Sequence, residues 1–234
     1  MTLPRAILFD LDDTIISAYG RPLLAWGKVM QEFAEHIAPL DASEVAAAVT
    51  AHAKEFWGDA GRHRQWRQSL AEARRHIVST ALPAHHFSLT NAIADRFTAL
   101  RDEEMRLFPG AVETLEALRD HGVRLALITN GDGETQRAKL VRFALASHFD
   151  HIQIEGEHGF GKPDERAYRH AMRALDVAPS DAWMVGDNLE WEVAAPQRLG
   201  IYAIWYDSEG NGLPVDAVAR PDRIITALPE LLPR

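Results

Sequence analysis

The sequence predicts an α/β fold, a parallel sheet core with an inserted helical module, and three observations predict it. From residue 108 onward, strand-like and helix-like segments alternate, the order of a parallel sheet with helices on both faces. Ile7, Leu8 and Phe9, within "RAILFDLDDTII" (residues 5–16), form an apolar run that suits a strand covered on both faces. Residues 18–105 read as helical throughout and carry no strand signal. A connection of that length is better read as an inserted module than as one crossover.

The strand segments are "AILFD" (6–10), "VRLALIT" (123–129), "HIQIE" (151–155), "AWMVGD" (182–187), "YAIWY" (202–206) and, weakly, "RIIT" (223–226). In the insert, Leu23, Trp26, Met30, Phe33 and Ile37 recur at helical spacing. Asp41 followed by Glu44 resembles a capping box opening a second helix with Val45, Val49 and Phe56 on it. A third helical segment lies around residues 65–80, and a fourth carries Leu89, Ile93 and Phe97. "YGRP" (19–22) and "LFPG" (107–110) punctuate the two ends of the insert. Beyond it, Val112, Leu115 and Leu118 share one helix face, with Gly122 as a stop, and Ala167, Met172 and Leu175 share another. The division expected is a core of residues 1–17 and 106–234 and a helical module of 18–105.

The 234 residues are 47% hydrophobic, enough for a sizeable core, and carry a formal net charge of −9 with no long basic run. That argues against nucleic acid as the main partner. The absence of cysteine excludes disulfides, thiol catalysis and thiolate metal sites. With no secretory signal and no apolar run of membrane-spanning length, a soluble cytoplasmic protein is the expectation, with no membrane partner. The eleven histidines are scattered without metal-ligand spacing and read as surface or core residues.

In a parallel α/β sheet the ligand sits beyond the carboxyl ends of the strands. Those ends carry Asp10 and Asp12 with Asp13, then Thr129, Asn130 and Gly131, then Lys162 in "GKPDE", then Asp187 in "VGDN". Each cluster alone could be an ordinary turn or helix cap. Independent turns, however, have no reason to bring acids, a hydroxyl and a lysine to one sheet edge. Lys162 also sits at a helix start, where its charge is unfavourable unless something nearby needs it.

Asp-x-Asp-x-Thr after the first strand, Thr-Asn after the second, a later Gly-Lys-Pro and then Gly-Asp resemble the haloacid dehalogenase superfamily, and the likeness runs nearly the whole chain in motif order. It implies a Rossmann-like core with a helical cap of the superfamily's first cap class. It also implies a phosphoric monoester hydrolase that acts on a small-molecule phosphate ester. Asp10 would be the nucleophile that forms an aspartyl phosphate. Asp12 would protonate the leaving alkoxide and then activate water. Mg²⁺ would be held by the carboxylates of Asp10 and Asp187 and the backbone carbonyl of Asp12. Thr129, Asn130 and Lys162, with Gly131 in the same loop, would bind the phosphoryl group and offset its charge. Where the family often has a second Asp after the Asp187 position, "GDNLEWEV" offers Glu192, expected to reach the metal only through water.

In the cap, "WGDAGRHRQWRQSL" (57–70) places Arg62, Arg64 and Trp66 on or beside a Gly-bounded loop. They are the candidates for selecting an anionic or sugar-like leaving group. The scaffold leaves three other readings: a metal-independent 2-haloacid dehalogenase, a phosphomutase, and a non-catalytic binding module. Asp12 speaks against the first, since a departing halide needs no proton, and the retained Asp10 and Lys162 speak against the last.

Overall fold

Strand β1 (Ala6–Phe9) is wholly buried because it lies mid-sheet with a parallel neighbour on each side. The computed structural model describes residues 2–233. After β1 come β2 (Ile16–Ser17), α1 (Pro22–Glu32), α2 (Ala42–Gly58), α3 (Ala60–Trp66), α4 (Leu70–Ala81), α5 (Thr90–Glu104) and β3 (Arg106–Leu107). The chain continues through α6 (Ala111–Asp120), β4 (Arg124–Thr129), α7 (Gly133–Arg142), β5 (His151–Ile154), α8 (Glu155–His158) and α9 (Glu165–Ala174). It ends with β6 (Ala182–Gly186), α10 (Ala195–Gln197), β7 (Tyr202–Tyr206) and β8 (Arg223–Ile225). Two compact units result, Met1–Ser17 with Arg106–Arg234, and Ala18–Met105.

In the first unit, six strands form one sheet in the order β5-β4-β1-β6-β7-β8, with every pair parallel. Alternate residues face opposite sides of a strand. Ala6 and Leu8 thus pack with Ile128, Met184 and Tyr168 under α9, while Phe9 meets Phe149 edge-on at 6.5 Å on the other side. The chain leaves β1 to β4 on one side and is joined by β6 on the other, so the order reverses at β1. In open α/β sheets that reversal opens a crevice at the strand ends. A short antiparallel ribbon of β2 and β3, too brief for a periodicity signal, pairs Ile16 with Leu107.

The second unit is all helix. Trp26 stacks on Phe97 at 3.6 Å, and Val29, Met30, Val49 and Ile93 complete the same core. Asp41 opens α2 by accepting from the backbone N–H groups of Ser43 and Glu44, at 2.8 and 3.0 Å. Leu23, expected on the core face of α1, is 52% exposed, because it lies about 90° around the helix from the face carrying Ala25, Trp26, Val29 and Met30. The buried Arg101 on α5 donates Nε to the Ala18 carbonyl at 3.0 Å and Nη1 to the Gly20 carbonyl at 2.9 Å. This ties the last helix of the unit to its own first residues. Among the described residues, no helix is long and apolar enough to cross a membrane.

Three of the histidines are not scattered in space. The rings of His151 and His158 both lie 5.0 Å from that of His170. The ring of His170 bonds through Nδ1 to Gln153 Oε1 at 2.6 Å. Burial, then the neighbouring rings, lower the pKa of His151, and burial and His158 lower that of His170. Among the described residues, no group of three His, Asp or Glu is arranged to hold a metal ion. Burial and the neighbouring rings thus favour the neutral form of His151 and of His170. A depressed histidine pKa means that the unfolded chain binds more protons just below pH 6.5. Stability from His151 and His170 is full above that pH and is lost as pH falls toward the folded values. The melting temperature should thus drop between pH 7 and 5.5, and His151→Gln should flatten the drop. An unchanged slope would remove the trio as its cause.

Candidate active site

Asp10 follows β1 directly, and its N–H still bonds the Val185 carbonyl at 3.0 Å, so the strand pairing fixes where its side chain emerges. The residue is 7% exposed. Its Oδ1 accepts from Lys162 Nζ and its Oδ2 accepts from the Thr14 hydroxyl at 3.3 Å. Burial raises the Asp10 pKa, against the pull of the Lys162 charge, and Asp12 adds to the rise. Beyond Asp10 the chain folds back sharply. The N–H groups of Ile15 and Ile16 bond the Leu11 carbonyl at 2.9 and 3.0 Å, and Asp13 takes a left-handed φ of 57°.

Lys162 is 1% exposed and pairs with two acids, Asp10 and Glu192, the latter at 2.6 Å. Burial alone would lower its pKa, but the two carboxylates more than offset this and raise it. Its backbone is held from both sides by one amide: Lys162 N–H donates to Asn130 Oδ1 and Asn130 Nδ2 donates to the Lys162 carbonyl, each at 2.8 Å. Asn130 thus positions the lysine through its side chain. Gly131, expected in the phosphoryl-binding loop, donates its N–H to Glu155 Oε2 at 3.1 Å. That carboxylate, buried beside the loop, holds Gly131 in place and leaves the N–H engaged.

Glu192 is directed at Lys162. It lies on a π-helical turn (Leu189–Ala194), with its Oε2 accepting from the Asn188 N–H at 2.8 Å and its Oε1 facing Lys162. The extra methylene reaches the lysine directly. Burial, opposed by Lys162, pushes its carboxyl up to about 7. Gly186 makes room for it, because a Cβ there would stand 2.1 Å from Glu192 Cγ. Asp187, next along, is exposed at the end of β6. Its surroundings, and then the charges of Glu192, Asp10 and Asp13, push its pKa well up. Since the residue meets solvent, the repulsion among these acids is the cause that matters.

Thr129 ends β4, next to β1, and is 1% exposed. Its hydroxyl accepts from Gln136 Nε2, which also donates to Asp12 Oδ2 at 3.0 Å. Lys139 Nζ lies 2.7 and 2.8 Å from the two oxygens of Asp12. Neither Gln136 nor Lys139 was read from the sequence as part of the site. The available signal was their spacing on α7: both share the buried face that carries Leu140.

Arg62, Arg64 and Trp66 lie on helix α3 of the helical unit, not on a loop. Asp59 makes the stretch helical by accepting from the Arg62 N–H at 2.7 Å. Arg62 and Arg64 are exposed. Trp66 is half-buried and packs at 5.8 Å from Phe56 and 5.9 Å from His76.

The strand ends thus hold a buried carboxylate fixed by an ammonium, a second carboxylate two positions on with its own ammonium, a hydroxyl, and an exposed third acid. A family model for haloacid dehalogenase-like hydrolases matches residues 4–200. The chain belongs to that family. The N-acylneuraminate-9-phosphatase of Rattus norvegicus is 30% identical over 237 residues, covering 97% of this chain and 92% of the relative. The glyceraldehyde 3-phosphate phosphatase of Pyrococcus furiosus is 27% identical over 231 residues, covering 97% and 91%. The phosphoserine phosphatase of Thermus thermophilus is 44% identical over 126 residues, 53% of this chain, and the match spans about half, 49%, of that protein. A solved structure of a putative hydrolase of the family from Bacillus subtilis, bound to magnesium, matches in fold. Its TM-score is 0.72 at 19% identity, over 98% of this chain and 97% of that one.

In this haloacid dehalogenase-like hydrolase, Gly186 is the position where one methyl group would dislodge the site. Gly186→Ala should turn Glu192 away and leave Lys162 with a single partner. Breaking a buried pair costs roughly 3–5 kcal/mol, so the melting temperature should fall markedly. Gly58→Ala, where nothing lies within 4 Å of the new Cβ, should leave it unchanged or slightly higher. Equal melting of both variants would refute the packing argument.

Proposed function

We propose that this chain hydrolyses a small phosphate monoester through an aspartyl phosphate on Asp10. The observation that carries this reading is the buried Asp10 carboxylate, held against Lys162 at the strand-order reversal between Thr129 and Asp187. In the first step an Asp10 oxygen bonds to phosphorus, the ester P–O bond breaks, and the leaving alkoxide takes its proton from Asp12. In the second, water attacks phosphorus and gives a proton to Asp12 while the P–O bond to Asp10 breaks and returns its electron pair to the carboxylate. Thr129 and Lys162 bind the phosphoryl oxygens and balance their charge. Relatives named for phosphoserine, glyceraldehyde 3-phosphate and N-acylneuraminate 9-phosphate hydrolysis support a phosphate monoester as the substrate class.

The donor set fits a hard divalent cation. Asp10 and Asp187 end neighbouring strands, repel each other, and with the Asp12 carbonyl offer only part of a coordination shell. Mg²⁺ suits such a site because it binds through one or two carboxylates and keeps several waters. Bound there, it would screen the phosphate from the acids.

Wild-type protein with Mg²⁺ should release phosphate from p-nitrophenyl phosphate, EDTA should stop it, and Asp10→Asn should abolish it with the fold intact by circular dichroism. Chloride release from 2-chloropropionate in EDTA, without phosphatase activity, would overturn the reading in favour of a dehalogenase.

Choice of ester falls outside the core residues, which account for phosphate and cation and leave little to read a leaving group. Arg62, Arg64 and Trp66 of the helical unit are the candidates. Each single Ala variant should alter relative rates among sugar and amino-acid phosphates more than the rate on p-nitrophenyl phosphate. A parallel fall on all substrates, with a lower melting temperature, would reduce them to packing residues.

A further inference from the structure

The Asp12 carboxylate is occupied on both oxygens. Lys139 Nζ lies 2.7 Å from Oδ1 and 2.8 Å from Oδ2, and Gln136 Nε2 donates to Oδ2 at 3.0 Å. Lys139 is 6% exposed and Gln136 2%. A buried ammonium is tolerated only when paired, so α7 places Lys139 where an acid must answer it. Gln136 adds a link. The same amide nitrogen donates to the Thr129 hydroxyl and, at 2.9 Å, to the Asn130 carbonyl. Asp12 is therefore strapped to the end of β4, where the phosphoryl group is read to bind. Asp10 has a separate lysine, Lys162, so the two acids do not compete for one cation.

We propose that Lys139, supported by Gln136, is a positioning residue that aims the Asp12 carboxylate for its proton transfers. The proposal rests on the reading of Asp12 as acid and base. It acts through orientation. A misaimed Asp12 slows both proton transfers, but p-nitrophenolate leaves without a proton. With that substrate only the second step suffers, in which water loses a proton to Asp12 as the P–O bond to Asp10 breaks.

The test is rapid-mixing kinetics on p-nitrophenyl phosphate with Mg²⁺, using Lys139→Met and Lys139→Arg. Steady-state kcat of Lys139→Met should fall roughly 10- to 100-fold, the scale of a small misplacement of a reacting group. A burst of p-nitrophenol approaching one equivalent per enzyme should appear, larger than in wild type. Lys139→Arg, which keeps the charge and a forked donor, should recover most of kcat and lose the burst. Unchanged turnover in Lys139→Met, or a loss with no burst and no rescue by arginine, overturns the proposal. Should wild type release no phosphate from any ester, the phosphatase reading fails by itself. The positioning claim is then decided by crystal structures of wild type and Lys139→Arg or Lys139→Met. An Asp12 carboxylate that keeps its rotamer without Lys139 sinks it.

Discussion

Burying the Lys162 ammonium is the constraint around which the sheet edge is built. A charge taken out of water is costly unless paired and fully hydrogen-bonded. Here two carboxylates from different strands answer it, Asp10 after β1 and Glu192 after β6. The pairing requires three loops to arrive in register. The Asn130 side chain bonds the lysine backbone on both sides. Gly186 admits the Glu192 side chain, and at Gly161 a Cβ would stand 2.4 Å from Asn130 Oδ1. The glycines in "GKP" and "GDN" are thus explained by close approach to other loops rather than by turn conformation, since neither has a positive φ.

Much of this was legible in the sequence because it is local. A four-residue apolar strand followed by acids, Asp41 as a helix cap, and a long helical stretch between punctuated ends each depend on a few consecutive residues. The polar residues at successive strand ends were legible for a related reason: in a parallel sheet every strand delivers its last residue to the same edge. What escaped depends on contacts between elements distant in the chain. Gln136 and Lys139 on α7 look like a solvated helix face until their separations of 124 and 127 residues from Asp12 are closed. The histidine trio needs β5 and α9 side by side. Glu192 reads as a longer metal-side acid, because only the packed π-helical turn shows it directed at the lysine. In α3, a single cap by Asp59 converts what glycine composition suggests is a loop.

Under the proposed reading, the two lysines also divide labour between acids with different tasks. A nucleophile should be anionic and fixed, and Asp10 is buried between Lys162 and Thr14. An acid that must gain and lose a proton needs access, and the Asp12 side chain is 17% exposed where that of Asp10 is 10%. The two acids still feel each other, since Asp12 adds to the rise of the Asp10 pKa. Each carboxylate nonetheless has its own lysine despite standing two residues from the other.

The remaining charge points to how ligands must bind under the proposed reading. Asp10, Asp12, Asp13, Asp187 and Glu192 outnumber Lys139 and Lys162, and their mutual repulsion helps to raise the pKa values of Asp187 and Glu192. A phosphate dianion cannot be drawn to such an edge unaided. A divalent cation held by Asp10 and Asp187 would offset the acids and supply a positive charge for the phosphate. Each ligand must then raise the affinity of the site for the other by the same factor, as linkage requires of any two ligands that share a site. The mutual repulsion of Asp10 and Asp187 would be the source of that coupling.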